Sequence, residues 1–413
     1  MINTTDNNIS VTGQFTVSEF HRFLAAIHGL VAKRGYQEIF VDFSQCTLAF
    51  PGPMLAICSQ LSKLREEDID IKLVIPINDK LNRLFKNSNW AHIIDPKHFE
   101  RSTFKGLRQV PTTNFVNIDE QAASVNSIMD IILGSLTGFT RGDLAAIEWS
   151  LNEITDNVIN HSESTVGGFV QLSTFQRNRK RIEYVVCDAG IGIPNSLRQG
   201  RPELISDSDA LDQAIREGVT KNIATNQGNG LFGAFQISSV SEGYIEIHSG
   251  NGSLNFNKKN GLHIRRETVP FNGTLIIACV DYSNPGLLGE ALKFGGKPHY
   301  PVDFIETKFE NDSGEKMIFV MKKETSSFGS RKAAQPINTK LKNIVSVCGN
   351  CKVFIDFEDI AVISSSFADE VFGKLFAEMG PLAFMQKFEF LNTSDTVRHL
   401  IDRSILLRAS SSK

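Results

Sequence analysis

The sequence predicts an α+β protein, and three observations lead there. Strand-like apolar runs alternate with helix-like stretches along the chain. Two distant segments, 38–66 and 352–380, repeat one pattern of strand, short connection and helix. Between them, residues 148–161 (Glu-Trp-Ser-Leu-Asn-Glu-Ile-Thr-Asp-Asn-Val-Ile-Asn-His) set Glu153, Asn157 and His161 four residues apart beside an apolar stripe of Leu151, Ile154, Val158 and Ile159. A chain of 413 residues is long enough for two to four domains with their own cores. Three are expected, at 1–100, 119–285 and 305–413, with the polar stretch 101–118 and the Gly/Pro/Asn-rich stretch 283–301 as connectors.

The elements follow in order. In the first repeat a helix is expected over 17–33, then a strand ending in Asp42-Phe43 and a helix opened by Pro51-Gly52-Pro53. A strand at 70–75 and a helix at 79–88 close it. In the middle region, helices are expected at 120–133 and 141–160, strands at 167–176 and 181–187, and helices at 208–217 and from Gly230. Strands at 243–248, 262–268 and 273–281 follow, giving helices on one side of a largely antiparallel sheet. The last repeat reads as a helix at 337–347, a strand ending in Asp356-Phe357, and a helix opened by Ser364-Ser365-Ser366, then a strand at 387–391 and a helix at 395–402.

Composition is ordinary for a globular protein, 41% hydrophobic and 22% charged. A net charge of −3 argues against nucleic-acid binding driven by phosphate neutralisation. No apolar run approaches the ~18 residues that span a bilayer. The N-terminus has neither the basic nor the apolar region of a signal peptide, so a cytoplasmic location without membrane contact is expected. Of six cysteines, those at 46, 58, 187 and 279 sit in apolar runs. Cys348-Gly-Asn-Cys351 has no second ligand pair nearby and reads as a turn with two incidental thiols.

Three blocks carry chemistry. Glu153 can orient and deprotonate an attacking water or hydroxyl. One turn on, the Asn157 amide oxygen can complete the shell of a magnesium ion without adding charge beside phosphates. Taken alone, such a row is also a solvated polar helix face. Cys-Asp-Ala-Gly-Ile-Gly-Ile-Pro (187–194) ends an apolar strand in Asp188, which can accept a hydrogen bond from an amino group such as that of adenine. Gly190 and Gly192 let backbone approach a flat base. Gln-Gly-Asn-Gly-Leu-Phe-Gly (227–233) places Gly228, Gly230 and Gly233 at a helix start, where bare N–H groups cradle anions. The Lys-Ser/Thr of a P-loop and the βαβ setting of a Rossmann fingerprint are both missing.

In this order the blocks resemble the GHKL ATPase superfamily, shared by histidine kinases, gyrase, heat-shock chaperones and anti-sigma-factor serine kinases. Glu153…Asn157…His161 corresponds to the N box, closest to the anti-sigma kinases. Asp188–Pro194 corresponds to the G1 box, Gly228-Asn-Gly230-Leu to the G2 box, and Gly273-Thr274-Leu-Ile to the closing strand. The resemblance implies a GHKL (Bergerat) α/β sandwich binding ATP with Mg2+. In it Glu153 is the base, Asn157 the metal ligand, Asp188 the holder of adenine N6 and Thr274 its support. Gly190, Gly192, Gly228 and Gly230 would contact the nucleotide, and 195–227, with Lys221, would be a lid. Histidine kinases usually carry glycine where Phe232 stands, a departure at the phosphate cradle.

The flanking repeats resemble STAS-like domains, the anti-sigma-factor-antagonist fold. In antagonists a serine at the matching helix start accepts phosphate, and Ser365 is the nearest equivalent. Phe50, Pro51 and Gly52 leave the first repeat without an acceptor. The expected function is therefore an ATP-binding regulatory protein whose nucleotide state switches its STAS-like modules or a protein partner, with homodimerisation open. A serine kinase acting on Ser365 or on a partner is the alternative. A nucleotide-sensing scaffold ranks lower, as does a histidine kinase, because no histidine here is followed by Asp or Glu.

Overall fold

The computed structural model describes residues 1–103, 109–175, 180–219, 229–311, 314, 316–349 and 351–411. It is a mixed α/β chain with several sheets. Two compact units divide it, Met1–Ile128 with Trp149–His299, and Met129–Glu148 with Tyr300–Lys413. Among the described residues no helix is long and apolar enough to cross a membrane.

The larger sheet of the first unit has five strands in the order Tyr244–Asn257, Gly261–Asp281, Arg181–Asp188, Gly168–Phe175 and Gln109–Phe115. Every neighbouring pair is antiparallel. Strand alternation sends Tyr184, Val186 and Asp188 to one face and Val185 and Cys187 to the other. On the first face, Ser150 of the helix Arg141–His161 meets the Tyr184 hydroxyl at 2.6 Å. On the second, Ser59 of the helix Pro51–Glu66 meets the Cys187 sulfur at 3.3 Å. Both faces are thus covered, which corrects the one-sided layering expected from sequence. Antiparallel sheets commonly leave one face to water, but here the central strand is buried at six of its eight positions, on both faces.

That second cover comes from the N-terminal residues. Strands Asn8–Val11, Glu38–Asp42 and Asp70–Val74 run parallel, with Ile2–Thr5 antiparallel at the edge. Edge-to-face rings tie this core together: Phe15 to Phe43 at 5.5 Å, Phe43 to Phe85 at 5.1 Å and Phe85 to Trp90 at 5.4 Å. The buried Trp90 indole donates to Gln171 Oε1 at 2.8 Å. From the helix Pro51–Glu66, Gln60 donates to the Asn272 carbonyl at 2.7 Å and Lys63 to the Ala189 carbonyl at 3.1 Å. The sequence-based helix over 17–33 is Val17–His28, extended by a widened π-helical turn, Gly29–Lys33.

The second unit carries three parallel strands, Lys316–Val320, Lys352–Asp356 and Phe388–Leu391, in sequence order. The same sequential parallel order recurs in the N-terminal strands. Its helices Arg331–Val347 and Ser365–Ala368 are opened by Ser330 and Ser364, whose side chains accept from the N–H groups of Ala333 and Phe367.

Candidate functional site

The helix Arg141–His161 repeats a polar or aromatic side chain every fourth residue, and one row lies on one face. Trp149, Glu153, Asn157 and His161 of that row all border a cavity of about 380 Å³. Its far wall is built from Val186 and Asp188 at the end of the central strand, with Thr274 and Ile276 beside them. Gly192 and Gly230, each opening a helix, complete it. The volume falls in the ~300–1,000 Å³ range of small-molecule sites.

Thus Glu153, Asn157, His161, Asp188, Gly192, Gly230 and Thr274, all expected from sequence, line one cavity. Gly190 does not border it and donates its N–H to Asp188 Oδ1 at 2.8 Å. Lys221 and Gly228 lie outside the described residues. Of the expected lid, 195–219 is described. Arg198 is bound there to Asp207 at 2.5 Å, and Asp207 accepts the Asn251 N–H at 2.7 Å. Ser365 belongs to the second unit, exposed in the first turn of Ser365–Ala368.

Asp188 is buried, and burial pushes its carboxyl up to about 7 against the N–H of Gly190 and both donors of Thr274. A buried acid of this kind accepts readily from a ligand's amino group once ionised. Gly192 has φ +77°, and a Cβ there would meet Ser249 Oγ at 2.6 Å. That hydroxyl is committed elsewhere, since it donates to the Gly273 carbonyl at 2.7 Å and accepts from Ile193 N–H at 2.9 Å.

At the other end, burial and then Asp156 raise the Glu153 carboxyl above its ordinary value, as suits a general base working near neutral pH. A Cβ on Gly230 would lie 2.4 Å from Glu153 Oε2 and 3.1 Å from Glu153 Cβ, so a side chain there would push the carboxylate from this helix N-terminus. Glu153 and Asn157 offer oxygens of the kind a hard divalent cation takes, and the helix start offers N–H groups to an anion.

Three site residues escape the sequence reading. Trp149 stands one turn before Glu153, so the spacing of four already pointed to it. Phe294 and His299 come from the stretch expected as a connector. They pack on Trp149 with ring centroids at 5.5 and 5.9 Å. Strands Lys293–Phe294 and Lys297–Pro298 form a hairpin with Gly295-Gly296 at its tip, both at positive φ, and Gly-Gly between two short runs was the available signal. Gly295 N–H is bonded to the Glu217 carboxylate. Phe232, where the resembled family carries glycine, sits with its ring 6.3 Å from Phe294.

No curated protein matches the chain. A family model, the STAS-like domain of unknown function (DUF4325), matches residues 338–398. The match takes in the strands Lys352–Asp356 and Phe388–Leu391 and the serines that open the helix between them. The C-terminal part of the chain therefore carries a STAS-like domain.

Proposed function

We propose that this chain is an ATP-binding regulatory protein with a GHKL-type site in 119–285, between STAS-like modules at 1–100 and 305–413. One observation carries the reading. Glu153, Asn157, Asp188, Gly230 and Thr274 come from four separate segments and border a single cavity. The reading rests on those motifs and that convergence, because the family match covers 338–398 alone.

The donor set fits magnesium-bound ATP. A buried carboxylate with a neighbouring hydroxyl stands at one end of the cavity. A carboxylate and a neutral amide face a glycine-opened helix of 11 residues at the other. In this assignment Asp188 accepts the adenine amino group and Thr274 steadies the acceptor. Glu153 takes the proton of the attacking hydroxyl, and Asn157 offers its amide oxygen to the ion. When bound, magnesium would offset phosphate charge and make the terminal phosphoryl group easier to displace. The STAS-like domain at 338–398 makes a signalling or STAS-type protein the expected partner.

The Asp188 carboxyl sets a pH dependence. An amino donor favours the ionised form, so nucleotide binding pulls the carboxyl below its value of about 7 and releases a proton near neutrality. Apparent affinity then falls as pH drops through 7. Calorimetry in buffers of different ionisation enthalpy is expected to show at most about half a proton released at pH 7, where a carboxyl at about 7 is half protonated, and none in Asp188→Asn. Equal release by both proteins would remove Asp188 from the adenine end.

Phosphotransfer to serine is the second reading, favoured by the exposed Ser365. Ser364 caps the helix and lies 3.0 Å from Ser366 Oγ, while the Ser365 hydroxyl makes no hydrogen bond among the described residues. Incubation with γ-labelled ATP separates the two. A kinase acting in cis labels the wild type and not Ser365→Ala, whereas an ATPase releases labelled phosphate and leaves the protein unlabelled.

A further inference from the structure

His21, His248 and Glu267 bring their ligating atoms within 4.8 Å of one another, the one group of three or more such side chains found among the described residues. All three belong to the first unit and lie outside the cavity lining. His21 is on the helix Val17–His28 and His248 on the strand Tyr244–Asn257. Glu267 sits in a bulge: Gly252 pairs with Arg266 and Gly250 with Phe271, so residues 267–270 face Asn251 alone. Bulges re-aim side chains, and this one turns Glu267 and the Val269 carbonyl toward His21.

The hydrogen bonds around the group point inward. His21 Nδ1 lies 3.3 Å from the Val269 carbonyl, which only accepts, so the Nδ1 proton goes there and the Nε2 lone pair is left. His248 Nε2 lies 3.9 Å from a Glu246 carboxylate oxygen, an ion-pair distance rather than a hydrogen bond. The His21 lone pair faces His248 Nδ1 across 3.3 Å, where either a proton or a cation can bridge the two nitrogens. A tetrahedral zinc ion with bonds of about 2.0–2.1 Å sets two nitrogens about 3.3–3.4 Å apart. Glu267 is held as a metal-ligating carboxylate is, by the Ser253 hydroxyl donating to Oε1 at 2.6 Å. His21 and Glu267 thus each have an outer hydrogen-bond partner, a backbone carbonyl and a hydroxyl.

We propose that His21, His248 and Glu267 bind a divalent transition metal, zinc by ligand chemistry, with the fourth position open to water. The ion clips the helix Val17–His28 to the bulged strand pair. The site is independent of the nucleotide reading.

The test uses the full chain carrying Cys348→Ser and Cys351→Ser, which removes the C-x-x-C thiol pair as a competing zinc ligand set, and Zn2+ as the probe against a chromogenic chelator. One zinc per chain is expected, with a higher melting temperature on binding. His21→Asn and Glu267→Gln should each weaken binding about 100-fold or more and abolish the melting shift, and Ser253→Ala should weaken it about 10- to 100-fold. Should His21→Asn fail to fold, Glu267→Gln, a half-exposed position, gives the same readout. Cobalt in place of zinc should give a tetrahedral spectrum without a thiolate band. Zinc held no better than micromolar, or held equally by Glu267→Gln, overturns the proposal.

Discussion

Replacing Glu153 by glutamine is expected to leave ATP binding within a few-fold of wild type and to cut turnover by about 10²–10⁴, the usual contribution of a positioned general base. Glutamine keeps the shape that abuts Gly230, so the cavity wall survives and only the proton acceptor goes. Burial and Asp156 raise the Glu153 carboxyl, so wild-type turnover should climb with pH as that group ionises, and the variant should lose this limb. Steady-state phosphate release with magnesium, paired with a binding titration, reads both quantities. Undiminished turnover in Glu153→Gln would remove the base from the scheme. Binding without turnover in the wild type would make the cavity a sensor.

The largest expected stability effect lies in the second unit. Lys340, 4% exposed, bridges Asp130 at 2.7 Å and the buried Glu324 at 2.6 Å. Lys308 bridges the same two carboxylates at 2.5 and 2.9 Å, closing a ring of four charges. Burial opposes ionisation of Asp130, but the two lysines overcome it and hold its carboxyl below the ordinary value. Stability from Asp130 is therefore present above the ordinary carboxyl range and lost as pH falls through the lowered one. Lys340→Ala leaves the buried Glu324 with only the partly exposed Lys308, and losing one partner of a buried pair typically costs about 3–5 kcal/mol, toward the lower end here because water reaches Asp130 and Lys308. The exposed pair of Lys322 and Asp359 is the control, since Lys322→Ala should cost about 0–1 kcal/mol. Denaturant unfolding of both variants checks the contrast. Equal midpoints would mean that the buried ring adds nothing.

Much of this arrangement was legible in the chain itself, because periodicity reports which way side chains point. The spacing of four in 149–161 placed Glu153 and Asn157 together, and the apolar run before Asp188 marked a central strand. Several misses share a physical cause, which is polar or proline-bearing strands; the apolar strand Lys316–Val320, also unread, does not. Gln109–Phe115 was expected as a connector because Pro111 and its threonines interrupt any alternation. It is the edge strand of the larger sheet, where a missing N–H is tolerated. Ile2–Thr5 and Asn8–Val11 were unread for the same reason, being rich in Asn, Thr and Ser. The two strands expected at 262–268 and 273–281 are one, Gly261–Asp281, whose bulge around Pro270 mimics a turn in sequence. No local pattern could show that the N-terminal helices cover the second sheet face. That follows from contacts such as Lys63 with Ala189, which join residues far apart in sequence.

Titration calorimetry of the purified full chain with ATP and magnesium is the most direct measurement. Saturable heat at one site per chain is predicted, with affinity about 10- to 100-fold lower in Asp188→Asn, as losing a hydrogen bond to a buried charged group implies. No heat in the wild type, or equal affinity in the two proteins, would contradict an adenine nucleotide held by Asp188.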